Sequence, residues 1–314
     1  MKVAIRAMAL NHLDLWIRRG MPHIRPALPL VMGCDAAGEV TDIGEGVTDF
    51  SAGDRVMLTP MTFLPALRGL PRRRAQPVCR VSNARRTQRR LSFAEQVVVD
   101  EWQARKIGPD VSFEDAAAFS LTFLTAWRML MTKAGLRPGE TVLIHGIGGG
   151  VSYALLAIAK LVGAAAIATT GEAWKREKAL ALGADAALDY TSDKLVKEIF
   201  AATDGRGVDV VADSVGGPTW SVSVKVVRSG GRIVTCGATA GAQPGAELTR
   251  IFWKQIHVMG STMGTLGEFT EITRLLNGGR LRPLVDRVFP AADIHKAHEH
   301  LEHAGQFGKI VLVF

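Results

Sequence analysis

A chain of 314 residues with 47% apolar side chains, 22% charged side chains and 33 glycines is long enough for two domains with ordinary cores. It has the composition of a folded α/β protein rich in tight turns, which excludes a disordered chain. The net charge of +8 is local: nine arginines and no acidic residue lie between Arg68 and Arg90, and the rest of the chain is close to neutral, so the charge is not a nucleic-acid signature of the whole protein.

In chain order, Val3, Ile5 and Ala7 share one face of a first strand, with Lys2, Ala4 and Arg6 on the other. Gly38 to Val47 reads as strand, tight turn, strand, and Ala52-Gly53-Asp54 turns the chain into a further strand, so the opening third is β-rich. A helix is predicted over 114–131, and Pro138-Gly139 ends that section with a turn. From there strands at 141–145, 165–169, 186–189, 208–213, 231–236 and 256–260 alternate with helices at 149–162, 173–182, 193–202 and 218–228. Such alternation predicts an α/β fold with a doubly wound parallel sheet of the Rossmann type. The tail reads as helix 267–277, strand 284–289, helix 291–303 and strand 309–314.

Cys34, Cys79 and Cys236 are far apart and form no C-x-x-C pair, which supports neither a disulfide framework nor a local zinc site. Met1 to Gly20 lacks the apolar stretch of a signal peptide. The most apolar window, 151–169, is broken by Lys160 and Gly163 and reads as a buried helix plus strand, not a membrane span. A cytoplasmic setting is the expectation.

The sharpest chemical motif is Val142-Leu143-Ile144-His145-Gly146-Ile147-Gly148-Gly149-Gly150-Val151-Ser152, an apolar strand running through glycines into an apolar helix. A dinucleotide needs this arrangement because its pyrophosphate must approach bare N–H groups at a helix N-terminus, where a Cβ would block it. Val151 stands where the dinucleotide fingerprint has its third glycine. The end of the next strand discriminates between coenzymes, since NAD-selective folds place a carboxylate there for the ribose 2′-hydroxyl. Thr170 occupies that place, and Lys175 and Arg176 follow one turn later, a set suited to the 2′-phosphate of NADP(H). Glu172 is the counter-signal, because a small shift of register makes it the ribose ligand of NAD(H).

These residues resemble the medium-chain dehydrogenase/reductase superfamily, in its alcohol-dehydrogenase-like and quinone-oxidoreductase-like branch. The further carriers are Leu10-Asn11-His12-Leu13-Asp14-Leu15-Trp16, Gly33-Cys34-Asp35-Ala36-Ala37-Gly38, Gly53-Asp54-Arg55-Val56, Leu121-Thr122-Phe123-Leu124-Thr125-Ala126, Ala181-Leu182-Gly183-Ala184-Asp185 and Gly308-Lys309-Ile310-Val311-Leu312. The resemblance implies a GroES-like, β-rich catalytic domain over 1–125, a Rossmann domain over 126–262 and a return to the catalytic domain over 263–314. It places the coenzyme along Gly146, Gly148, Gly149, Gly150 and Val151, with Tyr190 at the adenosine end and Val215, Gly216, Cys236, Gly237 and Ser261 at the nicotinamide. It also implies a homodimer acting on a small molecule, with no nucleic-acid or membrane partner.

Zinc-dependent members bind catalytic zinc through positions that read Asn11, Cys34, Asp35 and Leu121-Thr122 here. A catalytic zinc wants three protein ligands and an open position, so no metal is expected in this chain. Direct hydride transfer to a polarised carbonyl, enal or quinone, or the reverse from an alcohol, is the simplest remaining chemistry. Asn11 and Asp14 resemble the polar pair of the quinone reductases and are the candidate catalytic residues. The plainer alternatives are a turn-forming amide for Asn11, a helix-start charge for Asp14, and core packing instead of a substrate wall for Trp16.

Two departures from the family stand out. Residues 62–90 fall where relatives have either a short connection or a lobe with cysteines spaced C-x2-C-x2-C-x7-C. A reading frame shifted by one base permits cysteine codons at Leu64-Pro65, Leu67-Arg68, Leu70-Pro71 and Val78-Cys79, which reproduces that spacing. A frameshifted zinc lobe and a genuine Arg-rich segment both remain open. The family also has about one β-hairpin ahead of the position of Val3, so a truncated barrel with an exposed strand edge is expected.

His295, His298, His300 and His303 read as a solvated helix face, with a metal site as the sharper alternative, and Lys309 reads as structural. The rivals to a zinc-free enzyme are a zinc-dependent alcohol dehydrogenase relative and a catalytically impaired NADPH-binding paralogue.

Overall fold

The computed structural model describes residues 1–20, 29–60 and 92–314. The Arg-rich stretch and its expected shifted-frame lobe lie outside them. The chain divides into two compact units, Met1–Leu124 with Met263–Phe314, and Thr125–Thr262.

The first unit opens with β1 (Lys2–Ala9), α1 (His12–Arg19), β2 (Asp35–Asp42), β3 (Arg55–Leu58), β4 (Gln96–Val98) and β5 (Ala104–Lys106). Val3, Ile5 and Ala7 are buried while Lys2 and Arg6 are exposed, the alternation that a half-buried strand requires. Gly38 lets β2 cross β1 closely, since a Cβ there would lie 2.0 Å from the Ala4 carbonyl oxygen. The turn expected near Gly44 forms, with Val47 N–H donating to Gly44 O at 3.0 Å, but no strand follows it before Arg55. The reason is geometric: β2 already pairs with β1 and β3 on its two edges, so a strand at 43–47 has no edge to join.

Next comes α2 (Phe113–Trp127), which passes into a wider π-helical turn over Arg128–Ala134 and stops at Gly135, whose φ is +58°.

The second unit continues with β6 (Thr141–Ile144), α3 (Gly150–Val162), β7 (Ala165–Thr169), α4 (Ala173–Ala181), β8 (Ala186–Leu188), α5 (Leu195–Ala201), β9 (Val208–Asp213), α6 (Pro218–Val226), β10 (Val227–Thr235), α7 (Leu248–Trp253) and β11 (His257–Gly260). Its six strands run parallel in the order β11-β10-β9-β6-β7-β8. β10 starts four residues ahead of the predicted 231, with a register break between Val227 and Arg232. The strand order reverses between β6 and β9, and parallel α/β sheets bind ligands beyond the carboxyl ends of the strands at such a point. Leu143, Ile167, Val211 and Ile233 from the strands pack with Ile199 and Val224 from the helices. Fully burying each such side chain contributes roughly 1.5–3 kcal/mol.

The chain then returns to the first unit as α8 (Leu266–Asn277), β12 (Val285–Pro290), α9 (Ile294–Glu302) and β13 (Lys309–Val313). That unit's sheet runs β12-β13-β1-β2-β3-β5, with β4 also on β1. β1 is therefore paired along both sides, by β2 on one and by β13 and β4 on the other, so the exposed strand edge expected from the sequence does not fall on it. The histidines of the tail are not simply solvated, as read from sequence. His298 is 2% exposed and contacts Arg18, and His300 Nε2 lies 2.9 Å from Asp286. No helix among the described residues is long and apolar enough to cross a membrane.

Candidate active site

Every coenzyme-contact residue expected from the sequence follows the carboxyl end of a parallel strand. The glycine loop Gly146 to Val151 follows β6, Thr170 and Lys175 follow β7, Tyr190 follows β8, Val215 follows β9, Cys236 and Gly237 follow β10, and Ser261 follows β11. In the loop, Gly146 has φ +68° and Gly148 φ +140°, conformations that L side chains rarely adopt. Gly149 then caps α3 in extended conformation and offers no side-chain acceptor to the first-turn N–H groups. Those groups and the positive end of the helix are what an anion requires. Ser152 Oγ turns back to the Gly146 carbonyl at 2.8 Å, and Ile147 N–H bonds Thr169 O at 2.9 Å, so the loop is fixed from both ends.

Where the adenosine end is expected, Thr170 is buried and the charges are already matched. Glu172 accepts from Lys175 Nζ and from Trp174 Nε1, both at 2.7 Å. Arg176 reaches Asp189 at 3.1 Å and the carbonyls of Thr170 and Gly171. The Lys175 ammonium beside Glu172 holds its carboxyl below the usual range. Tyr190 is half exposed, and a Cβ on Gly171 would come within 3.3 Å of its ring.

Where the nicotinamide end is expected, the organising residue is Asp213, which sequence reasoning missed. Fully buried, it accepts the N–H groups of Val215 and Gly216 through Oδ1, each at 2.9 Å. Cys236 is half buried; burial and the nearby Asp213 charge push its thiol up to about 12, so it is no nucleophile at neutral pH. Ser261 Oγ is buried without a partner among the described residues, an orphan that a bound polar ligand would satisfy. Open helix start, side-chain-free turn and orphan hydroxyl all fit a dinucleotide.

The first unit gathers a second polar centre. Asn11 is the N-cap of α1, and its own N–H donates to Asp14 Oδ2 at 2.8 Å, so Asp14 stands as the carboxylate of a capping box. Burial pushes Asp14 up to about 6. The Asn11 side chain is fixed by two ions: Lys309 Nζ donates to its Oδ1 at 2.7 Å, and its Nδ2 donates to Asp35 Oδ2 at 2.8 Å. Lys309 also donates to Leu10 O at 2.6 Å and to Asp35 Oδ2 at 3.1 Å, while Leu121 N–H bonds Asp35 Oδ1 at 3.0 Å. Trp16, half buried, meets His12 edge to face at 6.0 Å.

These residues do not fit a catalytic zinc. Asn11 is an amide, both oxygens of Asp35 are occupied, Thr122 Oγ1 donates back to Ala118 O at 3.0 Å, and an ammonium already neutralises the carboxylate. Cys34 is the one remaining ligand type, and three are needed. Among the described residues no three His, Cys, Asp or Glu side chains converge on a metal position.

A parallel dinucleotide-type sheet in one unit and a buried polar centre in a β-rich unit of the same chain define a two-domain oxidoreductase. Residues 150–278 match the zinc-binding dehydrogenase family, and residues 1–109 match the alcohol dehydrogenase GroES-like domain. The chain is 30% identical to quinone oxidoreductase 1 of Escherichia coli (strain K12), covering 99% of this chain and 90% of that one. Its fold superposes on a crystal structure of an NAD-dependent alcohol dehydrogenase with a TM-score of 0.90 at 37% identity, covering 100% of this chain and 91% of the other. The Escherichia coli quinone oxidoreductase complexed with NADPH gives 0.82 at 29% identity, with coverage of 100% and 91%. The chain belongs to the medium-chain dehydrogenase/reductase superfamily.

Proposed function

We propose that the protein transfers hydride between NADP(H) and a small carbonyl, alcohol, enal or quinone without a catalytic zinc. The observation that carries the zinc-free chemistry is Asp35, whose two oxygens are shared among Asn11, Lys309 and the Leu121 N–H. When bound, the reduced nicotinamide supplies the hydride. The protein's part is to orient the acceptor and to meet the charge that develops on its oxygen. Asn11 is the group suited to that work. Nδ2 donates to Asp35 at 2.8 Å and makes longer contacts to Ala9 O (3.4 Å) and Cys34 Sγ (3.5 Å), and it is these longer contacts that a substrate oxygen would have to displace. Asp14 serves as a positioning residue, fixing the turn that presents Asn11.

NAD(H) is the second reading, favoured by Glu172 and by the pairing of Lys175 and Arg176 with carboxylates. A homodimer also belongs to the proposal: β11 is an edge strand, and α7 just before it exposes Leu248 (69%), Phe252 (62%) and Trp253 (81%). Steady-state oxidation of NADPH with quinones, enals and aldehydes, before and after chelation, tests the whole proposal. Activity that survives chelation in metal-free protein supports it. Activity that needs added zinc refutes the zinc-free part, and tight NADPH binding with no turnover on any acceptor points to an impaired paralogue.

A further inference from the structure

His145 stands between β6 and the glycine loop, yet its ring is buried, 1% exposed. Both nitrogens are bonded to hydroxyls, Nδ1 to Thr169 Oγ1 and Nε2 to Ser223 Oγ, each at 3.1 Å. Ser223, fully buried on α6, lies 3.1 Å from Asp213 Oδ2 and 2.9 Å from Thr219 O. Its single proton is directed to these two acceptors and away from His145. A carboxylate only accepts, and that sets the direction of the whole chain. Ser223 donates to Asp213, His145 carries its proton on Nε2 and donates to Ser223, and Thr169 donates to Nδ1. Burial holds the imidazole below its ordinary range, so every member is satisfied with the ring neutral.

The relay ends on two separated ligand-facing segments. Thr169 closes β7 and adjoins Thr170, on the adenosine side. Asp213 closes β9 and shapes the turn at Val215 and Gly216 on the nicotinamide side, where Gly216 has φ +66°. His145, at the head of the pyrophosphate loop, lies between them.

We propose that His145, Ser223 and Asp213 form a positioning device that holds the adenosine-side and nicotinamide-side turns in register, so that one dinucleotide engages both at once. The proposal rests on the coenzyme reading given above. Without the relay each turn still binds its own half, but the gain from joining the halves is lost. None of the three touches the reacting atoms.

The test titrates wild type, His145→Leu, Ser223→Ala and His145→Gln with whichever coenzyme binds, and with the matching adenosine nucleotide alone. His145→Leu and Ser223→Ala are expected to weaken the whole coenzyme by about tenfold and the fragment by less than about twofold. In turnover, the KM for coenzyme rises while the KM for acceptor holds. His145→Gln, which can still donate to Ser223, restores most of the affinity. Equal weakening of fragment and whole coenzyme, or no change in either, overturns the proposal. Ser223→Ala removes one oxygen and keeps the test valid should His145→Leu fail to fold. If wild type binds neither coenzyme, the coenzyme reading itself falls and takes this proposal with it; if wild type binds and the variants match it, this proposal alone fails.

Discussion

Replacing Lys309 by Met removes the ammonium from a centre where its side chain is 5% exposed and that of Asp35 is 0% exposed. Three acceptors lose their donor: Leu10 O at 2.6 Å, Asn11 Oδ1 at 2.7 Å and Asp35 Oδ2 at 3.1 Å. The Asp35 carboxylate keeps the Asn11 amide and the Leu121 N–H but stays buried with its charge uncompensated. Breaking one partner of a buried pair costs about 3–5 kcal/mol, and the two remaining donors put this case near the lower end, about 3 kcal/mol. Two units in one chain make a single global unfolding curve ambiguous, so the sound assay is amide hydrogen exchange read by segment. Exchange of the slowest amides of β1 and β13, which pair Ala7 with Val313 through Ala9 with Val311, should speed up about a hundredfold. The strands β6 to β11 should be unaffected. Adding Asp35→Asn should recover a large part of the loss, because the stranded charge is then gone. Acceleration below about fivefold, or a double variant no better than the single one, would refute the claim that the pair is electrostatically coupled.

Four further outcomes are expected. Asp14 binds its proton more tightly in the fold (about 6) than in the unfolded chain (3.8), so the first unit should lose stability as pH rises from about 4 to about 6, by up to roughly 3 kcal/mol; thermal melts across that range should show the slope, and Asp14→Asn should flatten it. Asn11→Leu should lower kcat by about tenfold to a hundredfold with the coenzyme affinity unchanged, measured by turnover and by titration on folded protein. Lys175→Ala should weaken NADPH by about tenfold more than NADH if the 2′-phosphate displaces Glu172 from the ammonium; equal losses favour NAD(H). Trp253→Lys should convert a dimer to monomer in analytical ultracentrifugation, and a wild type that is monomeric at every concentration would remove α7 as an interface.

The second unit was readable almost strand by strand because its signals are local. Most of the apolar strands are followed at short range by a turn and an amphipathic helix, and the glycine loop advertises its backbone shape in its own residues; the short α7, which buries none of its residues, carried no such signal. The first unit was less legible because its pairings join distant segments. Nothing near Lys309 announces a partner 274 residues earlier at Asp35, and nothing near Gly44 says that both edges of β2 are taken. Asn11 and Asp14 are candidates by resemblance, but only the coordinates separate an amide held between Lys309 and Asp35 from a carboxylate committed to the turn. His145 and Asp213 escaped notice for a related reason. Each lies inside an apolar strand context, and their meaning is carried by Ser223 and Thr169, contributed by α6 and β7.

Fluorescence titration of NADPH and NADH against wild type and Gly148→Val tests the main idea most directly. Gly148 has φ +140°, where a β-branched side chain is strained and fills the approach to α3. Saturable enhancement with at least one coenzyme in the wild type, weakened by about a hundredfold or more in the variant, is the expected result. Folded wild-type protein that enhances neither, or a variant that binds as well as wild type, would contradict dinucleotide binding at this loop.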